Sequence, residues 1–261
     1  MSEAEPILVD RDDPVVTLTL NAPPRNPIGM AMIDKLESLL PRLQADEAVR
    51  AVVVTGAGDT SFSVGANIKE FPEGVSKMTL RGFVAQRIRV LGQLESLGKP
   101  VIAAIRGTCI GGGLELALCC HFRIAALDAQ LSLPEIDLGI VPAWGGTQRL
   151  TQIVGRARAL DLMLRAKRLS GKQAHAMGLV HEAHASEEVR AVANELAGEL
   201  ASKPPRSVSG IMEAVIKGAQ RPLEEGLEFE FAALEQTAGS RDNMEGMAAF
   251  FEKRKPKFTG G

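Results

Sequence analysis

The alternation of β-branched and smaller side chains across "PVVTLTLN" (14–21) predicts a strand. Apolar residues then recur at helical spacing through "MAMIDKLESLLPRLQAD" (30–46). "VRAVVVTGAG" (49–58) is a short β-branched run closed by glycine, the pattern of a buried strand. "KMTLRGFVAQRIRVLGQLESLGKP" (77–100) returns to an amphipathic helix, stopped by Gly98 and Pro100. "VIAAIRG" (101–107) and "FRIAA" (122–126) read as strands, and the apolar run "CIGGGLELALCC" (109–120) between them reads as a buried helix. Strands and helices that interleave in this way predict an α/β core.

The pattern changes after Ser202. "KPP" (203–205) marks a boundary, and three helical periods follow at 206–218, 222–238 and 241–253. The expected organisation is a core over 1–202 and a helical region over 203–261 that serves as a subdomain or an oligomerisation arm. No internal repeat interrupts either part.

Composition narrows the functional classes. The 261 residues are 45% apolar and 24% charged, an ordinary globular balance with room for a sizeable core. A net charge of −2 gives no electrostatic case for nucleic acid or an anionic membrane. Three cysteines (Cys109, Cys119, Cys120) in apolar surroundings suit a reducing compartment and offer neither a disulfide framework nor zinc spacing. "MSEAEPILVD" lacks the basic and apolar regions of a signal peptide, and no apolar run reaches the roughly 18 residues of a membrane span. A cytoplasmic protein without a membrane segment is expected.

Several motifs have ordinary readings. "VVVTGAGDTS" (52–61) places Gly56 and Gly58 after a strand, but Ser61 stands where a dinucleotide fingerprint needs glycine, so it reads as a turn. There is no phosphate loop and no G-x-S-x-G elbow. His121, His175, His181 and His184 have no metal-site spacing. Arg81, Arg87 and Arg89 read as the solvated face of one helix.

Three segments call for more. "SFSVGANIKEF" (61–71) puts Gly65, Ala66 and Asn67 in a turn behind a strand. "GTCIGGGLELA" (107–117) puts glycines at the start of a buried helix, where a ligand can approach free backbone N–H groups. "LSLPEIDLGIVPAWGGTQRL" (131–150) puts Glu135 after Pro134 in a stretch rich in Gly and Pro. One N–H from each of the first two turns can clamp a single carbonyl oxygen. Glu115 and Glu135, both in apolar company, can supply a base and an acid. Separately, each has an ordinary reading: Glu115 as a first-turn helix glutamate and Glu135 as the start of a turn after proline.

Together "FSVGANIKEF", "GGGLELAL", "LPEIDLGIVPAWGGTQRL" and "MAAFFEKRKPKF" resemble the crotonase superfamily, and within it the enoyl-CoA hydratases. The resemblance runs from about Val15 into the C-terminal tail. It implies a spiral of ββα units with a C-terminal helical region, assembled as a homotrimer or a dimer of trimers. It also implies an acyl-CoA thioester as substrate and no resident cofactor or metal, coenzyme A being part of the substrate. By motif, the backbone N–H groups of Ala66 and Gly112 form the oxyanion hole. Gly65, Ala66, Asn67, Ile68 and Lys69 line the CoA path, and Pro142 and Trp144 belong to the substrate site. Phe250, Phe251 and Lys253 lie in the tail segment that in relatives covers the CoA nucleotide, often across a subunit boundary. Glu115 is expected to activate the water that adds to the β-carbon, and Glu135 to protonate the α-carbon.

The sequence departs from the family pattern at three places. Asn67 and His121 stand where relatives carry aspartate, and Ala143-Trp144 replace a glycine and a small residue. A tryptophan facing the acyl group would reshape the pocket and favour a short or unusual chain. Related reactions on the same fold are Δ3,Δ2-enoyl-CoA isomerisation, dehydration of a hydroxyacyl-CoA and thioester hydrolysis; a different class is a non-catalytic acyl-CoA- or RNA-binding member. Isomerases of this kind commonly manage with one acid, so two glutamates favour hydration.

Overall fold

The computed structural model describes residues 5–261. Strands β1 (Ile7–Asp12) and β2 (Val15–Leu20) open it as an antiparallel pair, followed by helix α1 (Met30–Ala45). Next come β3 (Ala51–Gly56), β4 (Ser61–Ser63), a 3₁₀ turn at Ile68–Glu70, α2 (Phe71–Lys77) and α3 (Leu80–Glu95). A second turn of the chain gives β5 (Val101–Ile105), β6 (Thr108–Ile110) and α4 (Gly112–Leu118). A third gives β7 (Phe122–Ala126), β8 (Gln130–Ser132), a 3₁₀ turn at Glu135–Leu138, α5 (Gly146–Val154) and α6 (Arg156–Leu164). Strand β9 (Leu169–Ser170), α7 (Gly171–Met177), β10 (Glu182–His184) and α8 (Val189–Ala201) complete the core elements. Helix α9 (Pro205–Glu213), a π turn at Ala214–Gly218, α10 (Leu223–Thr237) and α11 (Arg241–Glu252) follow.

The strands form two sheets. Five strands of five or six residues and the three-residue β10 pair in the order β1-β2-β3-β5-β7-β10, parallel apart from β1. Four short ones pair as β4-β6-β8-β9, parallel apart from β9. Each turn of the chain therefore lays one strand in each sheet before its helix, which is the spiral of ββα units expected from the motifs. Strands β3 and β5 are buried at every residue, as central parallel strands covered on both faces must be. Helix α8 packs on β3 and β5, and Val189, Ala193, Ala197 and Ala201 form its buried stripe. Small side chains at every fourth position let that helix lie close to the sheet.

The short strands decide where the site can form. β4, β6 and β8 run parallel, with a register shift in β4 between Ser61 and Ser63; Ser63 lies beside Cys109 and Ile110 beside Ser132, so they end side by side. Ala66, Gly112 and Glu135 each follow within three residues of a strand end. In α/β proteins this end of parallel strands is where ligands are met.

Four expectations change in detail. Residues 109–120 are not one helix: Thr108–Ile110 pair with β4 and β8, and α4 begins only at Gly112. The 77–100 helix starts at Leu80, capped by Thr79 Oγ1 accepting from Gly82 N, and α2 is a separate helix before it. The 206–218 helix ends at Glu213 and continues as a π turn. Arg87 is not on a solvated face: it is 2% exposed, its guanidinium 3.3 Å from the Phe83 ring centroid, donating to Phe83 O and Gln86 Oε1. The apolar stem and the cation–π contact place the charge inside, which a polar–apolar pattern does not reveal.

Among the described residues no helix is long and apolar enough to cross a membrane. The C-terminal helices leave large apolar side chains outside: Leu223, Phe231, Leu234, Met244, Met247, Phe250 and Phe251 are all exposed in the single chain. The tail after α11 returns to the body, where the buried Asp242 carboxylate accepts from Thr259 N (2.7 Å) and Gly260 N (2.9 Å) and Arg50 donates to Phe258 O.

Candidate active site

The turn after β4 is held on one side only. Ile28 N donates to Gly65 O and Asn67 N donates to Ile28 O, which leaves the Ala66 N–H outside that bridge and without an acceptor among the described residues. Gly65 has φ +88°, and a Cβ there would lie 2.8 Å from Gly112 N and 2.8 Å from Ile110 O. The two turns thus touch through a glycine that no other residue could replace without displacement. Gly112 opens α4, so its N–H has no acceptor inside the helix. Two free N–H groups on adjacent turns can receive one oxyanion.

Glu115 lies one turn inside α4 and is 3% exposed. Its Oε1 accepts from Trp144 N (2.7 Å) and Gly146 N (2.8 Å), at the turn before α5. Burial pushes its carboxyl up to about 7, with Glu135 nearby adding to the rise; the two N–H donors and Arg149 oppose it. Glu135 is buried at the start of its 3₁₀ turn, and its Oε2 has no hydrogen-bond partner among the described residues. Burial raises its pKa as well. One carboxyl is therefore anchored through an oxygen that accepts two N–H bonds, the arrangement of a carboxylate. The other keeps an oxygen with no partner among the described residues, and burial opposes its charge.

The remaining expected residues divide into two groups. Pro142 and Trp144 are buried beside Glu115, and the indole fills the space next to Gly112 into which a side chain there would project. Ile68 and Lys69 are exposed at the rim beyond Ala66. Asn67 donates from Nδ2 to Glu70 Oε1 (2.6 Å), while Glu70 Oε2 accepts from Met30 N (2.6 Å) at the start of α1. An amide there can donate to Glu70, where an aspartate would repel it. Phe250 and Lys253 are exposed on and just after α11, and the single chain gives their side chains no hydrogen bond to the turns at 65–69 or 111–115.

His121 also acquires a physical role. Its Nδ1 accepts from Val101 N (3.0 Å) and its Nε2 lies 3.0 Å from Glu95 O, so the neutral ring carries its proton on Nε2. Burial lowers its pKa, in keeping with that form. Sequence reasoning missed the anchors of Glu115, the N–H groups of Trp144 and Gly146, and behind them Arg149 and Glu95. The only sequence signal was the "WGGTQR" turn itself, since backbone donors carry no residue code.

Comparison with known proteins bears on the family and the fold. The sequence profile of the enoyl-CoA hydratase/isomerase family matches residues 10–261. The "Probable enoyl-CoA hydratase" of Bacillus subtilis (strain 168) is 40% identical over 252 residues, 95% of this chain and 96% of that protein. The crotonyl-CoA hydratase of Syntrophomonas wolfei is 36% identical over 255 residues, covering 97% and 98%. The crystal structure of an enoyl-CoA hydratase from Bacillus anthracis superposes with a TM-score of 0.92 at 37% identity, covering 98% of this chain and all of that one.

Proposed function

Because the chain belongs to the enoyl-CoA hydratase/isomerase family, we propose that it adds water reversibly across the 2,3 double bond of a 2-enoyl-CoA to give a 3-hydroxyacyl-CoA. The observation that carries this reading is the asymmetric carboxyl pair, Glu115 anchored by two N–H groups and Glu135 with a bare oxygen. The thioester oxygen accepts from Ala66 N and Gly112 N. Glu115 takes a proton from water as the water oxygen bonds to the β-carbon, and the displaced electron pair moves to the thioester oxygen. Glu135 then gives its proton to the α-carbon as the carbonyl re-forms. Acid, base and hole all come from the chain, so the reading needs neither resident cofactor nor metal.

The finer parts of the reading rest on named features. Gly65 to Lys69 border the CoA path. Phe250 and Lys253 reach the CoA nucleotide of a neighbouring subunit, in a homotrimer or dimer of trimers that covers the apolar faces of α10 and α11. Residues 203–261 act as the oligomerisation region, and the enzyme works in the cytoplasm. Light scattering of the purified protein should give three or six chains; a monomer would remove the assembly from the reading.

Hydration is tested in heavy-oxygen water with crotonyl-CoA as substrate. Label is expected at the β-carbon. Migration of the 2,3 double bond to the 3,4 position without label would assign an isomerase, and free coenzyme A a hydrolase.

Trp144 sets an expectation about the acyl group. Its indole is 6% exposed and packs against Gly112, while its backbone N–H holds Glu115, so one residue touches both the hole turn and the base. Trp144→Ala is expected to raise kcat/KM for hexenoyl-CoA relative to crotonyl-CoA by roughly tenfold, the worth of one or two methylenes in an apolar pocket. An unchanged ratio would mean that the indole does not shape the acyl site.

A further inference from the structure

An arginine in the first turn of a helix opposes the dipole there, so Arg149 in α5 needs a reason to be where it is. Its partners supply one. Nε and Nη2 donate to Glu95 Oε2 at 3.1 and 2.8 Å, and Nη1 donates to Trp144 O at 3.3 Å. The pair is largely shielded, with 14% and 28% of the two side chains exposed. Glu95 is itself fixed, since it ends α3 and its carbonyl is held by His121, whose other nitrogen accepts from the first residue of β5.

A continuous path of hydrogen bonds therefore runs from the central sheet to the carboxyl of Glu115. His121 holds the end of α3, Glu95 holds Arg149, Arg149 holds the Trp144 carbonyl, and Trp144 and Gly146 hold Glu115 Oε1. Resting on the hydratase reading above, we propose that Arg149 is a positioning residue. Anchored by Glu95, it fixes the 144–146 turn, and that turn keeps Glu115 aimed at the water.

Arg149 acts on Glu115 in two ways, through the turn and through its charge. Glu135, from the 3₁₀ turn, and Arg149, from α5, are the titratable groups that act on Glu115; Cys119, just past the end of α4, stays a thiol because burial raises its pKa. Removing the arginine slackens two N–H donors and withdraws a nearby cation, and both changes favour the protonated carboxyl.

The experiment compares wild type with Arg149→Met, Arg149→Lys and Glu95→Gln. For crotonyl-CoA, Arg149→Met is expected to lower kcat roughly tenfold or more, the loss typical of a supporting shell, with KM nearly unchanged. The acid limb of its pH–rate profile should move to higher pH. Arg149→Lys keeps the charge and should restore the limb more than it restores kcat, and Glu95→Gln should move both in the same direction by less. Infrared difference spectroscopy gives a readout without turnover: the carboxylic C=O band lost in Glu115→Gln should titrate at higher pH in Arg149→Met than in wild type. An unmoved band and limb would overturn the proposal, as would a loss confined to KM. If Arg149→Met fails to fold, Glu95→Gln carries the same test. A wild type that titrates as expected but hydrates no enoyl-CoA would overturn the hydratase reading alone.

Discussion

Replacing Glu115 with Gln is expected to lower turnover of crotonyl-CoA by roughly 10²–10⁴, and at the same time to make the folded protein more stable above pH 7. The first half follows from the proposed chemistry, since an amide cannot take the proton from water. The second half follows from the cost of burying a charge. A carboxyl whose folded pKa lies above its unfolded value binds more protons folded than unfolded, so its contribution to stability is whole at low pH and is lost as pH rises. For Glu115 the window runs from the ordinary 4.5 to about 7. At ~1.4 kcal/mol for each pH unit, this amounts to about 3 kcal/mol of stability missing at alkaline pH. A glutamine oxygen can accept from Trp144 N and Gly146 N as the carboxylate does, and the side chain has no charge to lose. Denaturant midpoints should therefore show the variant ahead of wild type at about pH 8 and level with it at about pH 4. A variant less stable at both pH values would mean that the carboxylate holds the 144–146 turn more strongly than its burial costs. Glu135→Gln should lose turnover in the same range, because the α-carbon then has no proton donor.

Gly65→Ala should cost nearly as much. The alanine Cβ meets Gly112 N and Ile110 O at 2.8 Å, and both are backbone, so one of the two turns must move. Movement there separates the two N–H groups that share the oxyanion. Loss of one such donor is worth roughly 10²–10³ in kcat. The positive φ adds a backbone penalty of about 1–2 kcal/mol that has nothing to do with catalysis. Gly178→Ala separates the two effects: Gly178 has φ +80° at the end of α7 and nothing within 4 Å of its would-be Cβ. It should lose comparable stability and keep its activity. Full turnover in folded Gly65→Ala would show that these two turns do not form the hole.

What the sequence revealed depended on how much of each signal lay in side chains. β3 and β5 were visible because both their faces are buried and every residue says so. The turns at 65–67 and 111–113 were visible because glycines are placed there by close backbone approach. The short strands of the second sheet are two or three residues long, too brief for any period, and β6 was absorbed into the apolar run of α4. Helices α5 to α8 went unread for a related reason: glycines and prolines before α5 masked its start, and the α8 stripe is mostly alanine. Arg87 and Arg149 misled or stayed silent alike, since the composition of a helix face does not say which cation is turned inward.

The spiral has a consequence for the order in which the protein is made. Ala66, Gly112 and Glu135 sit at the ends of successive short strands, so each later turn of the chain adds one element to a site already begun. A ribosome completes both N–H donors of the hole before it reaches Glu135, and it makes Glu115 31 residues ahead of Gly146, whose N–H anchors its carboxylate. Until α5 emerges, the nascent chain carries an acidic side chain destined for burial with nothing to receive it.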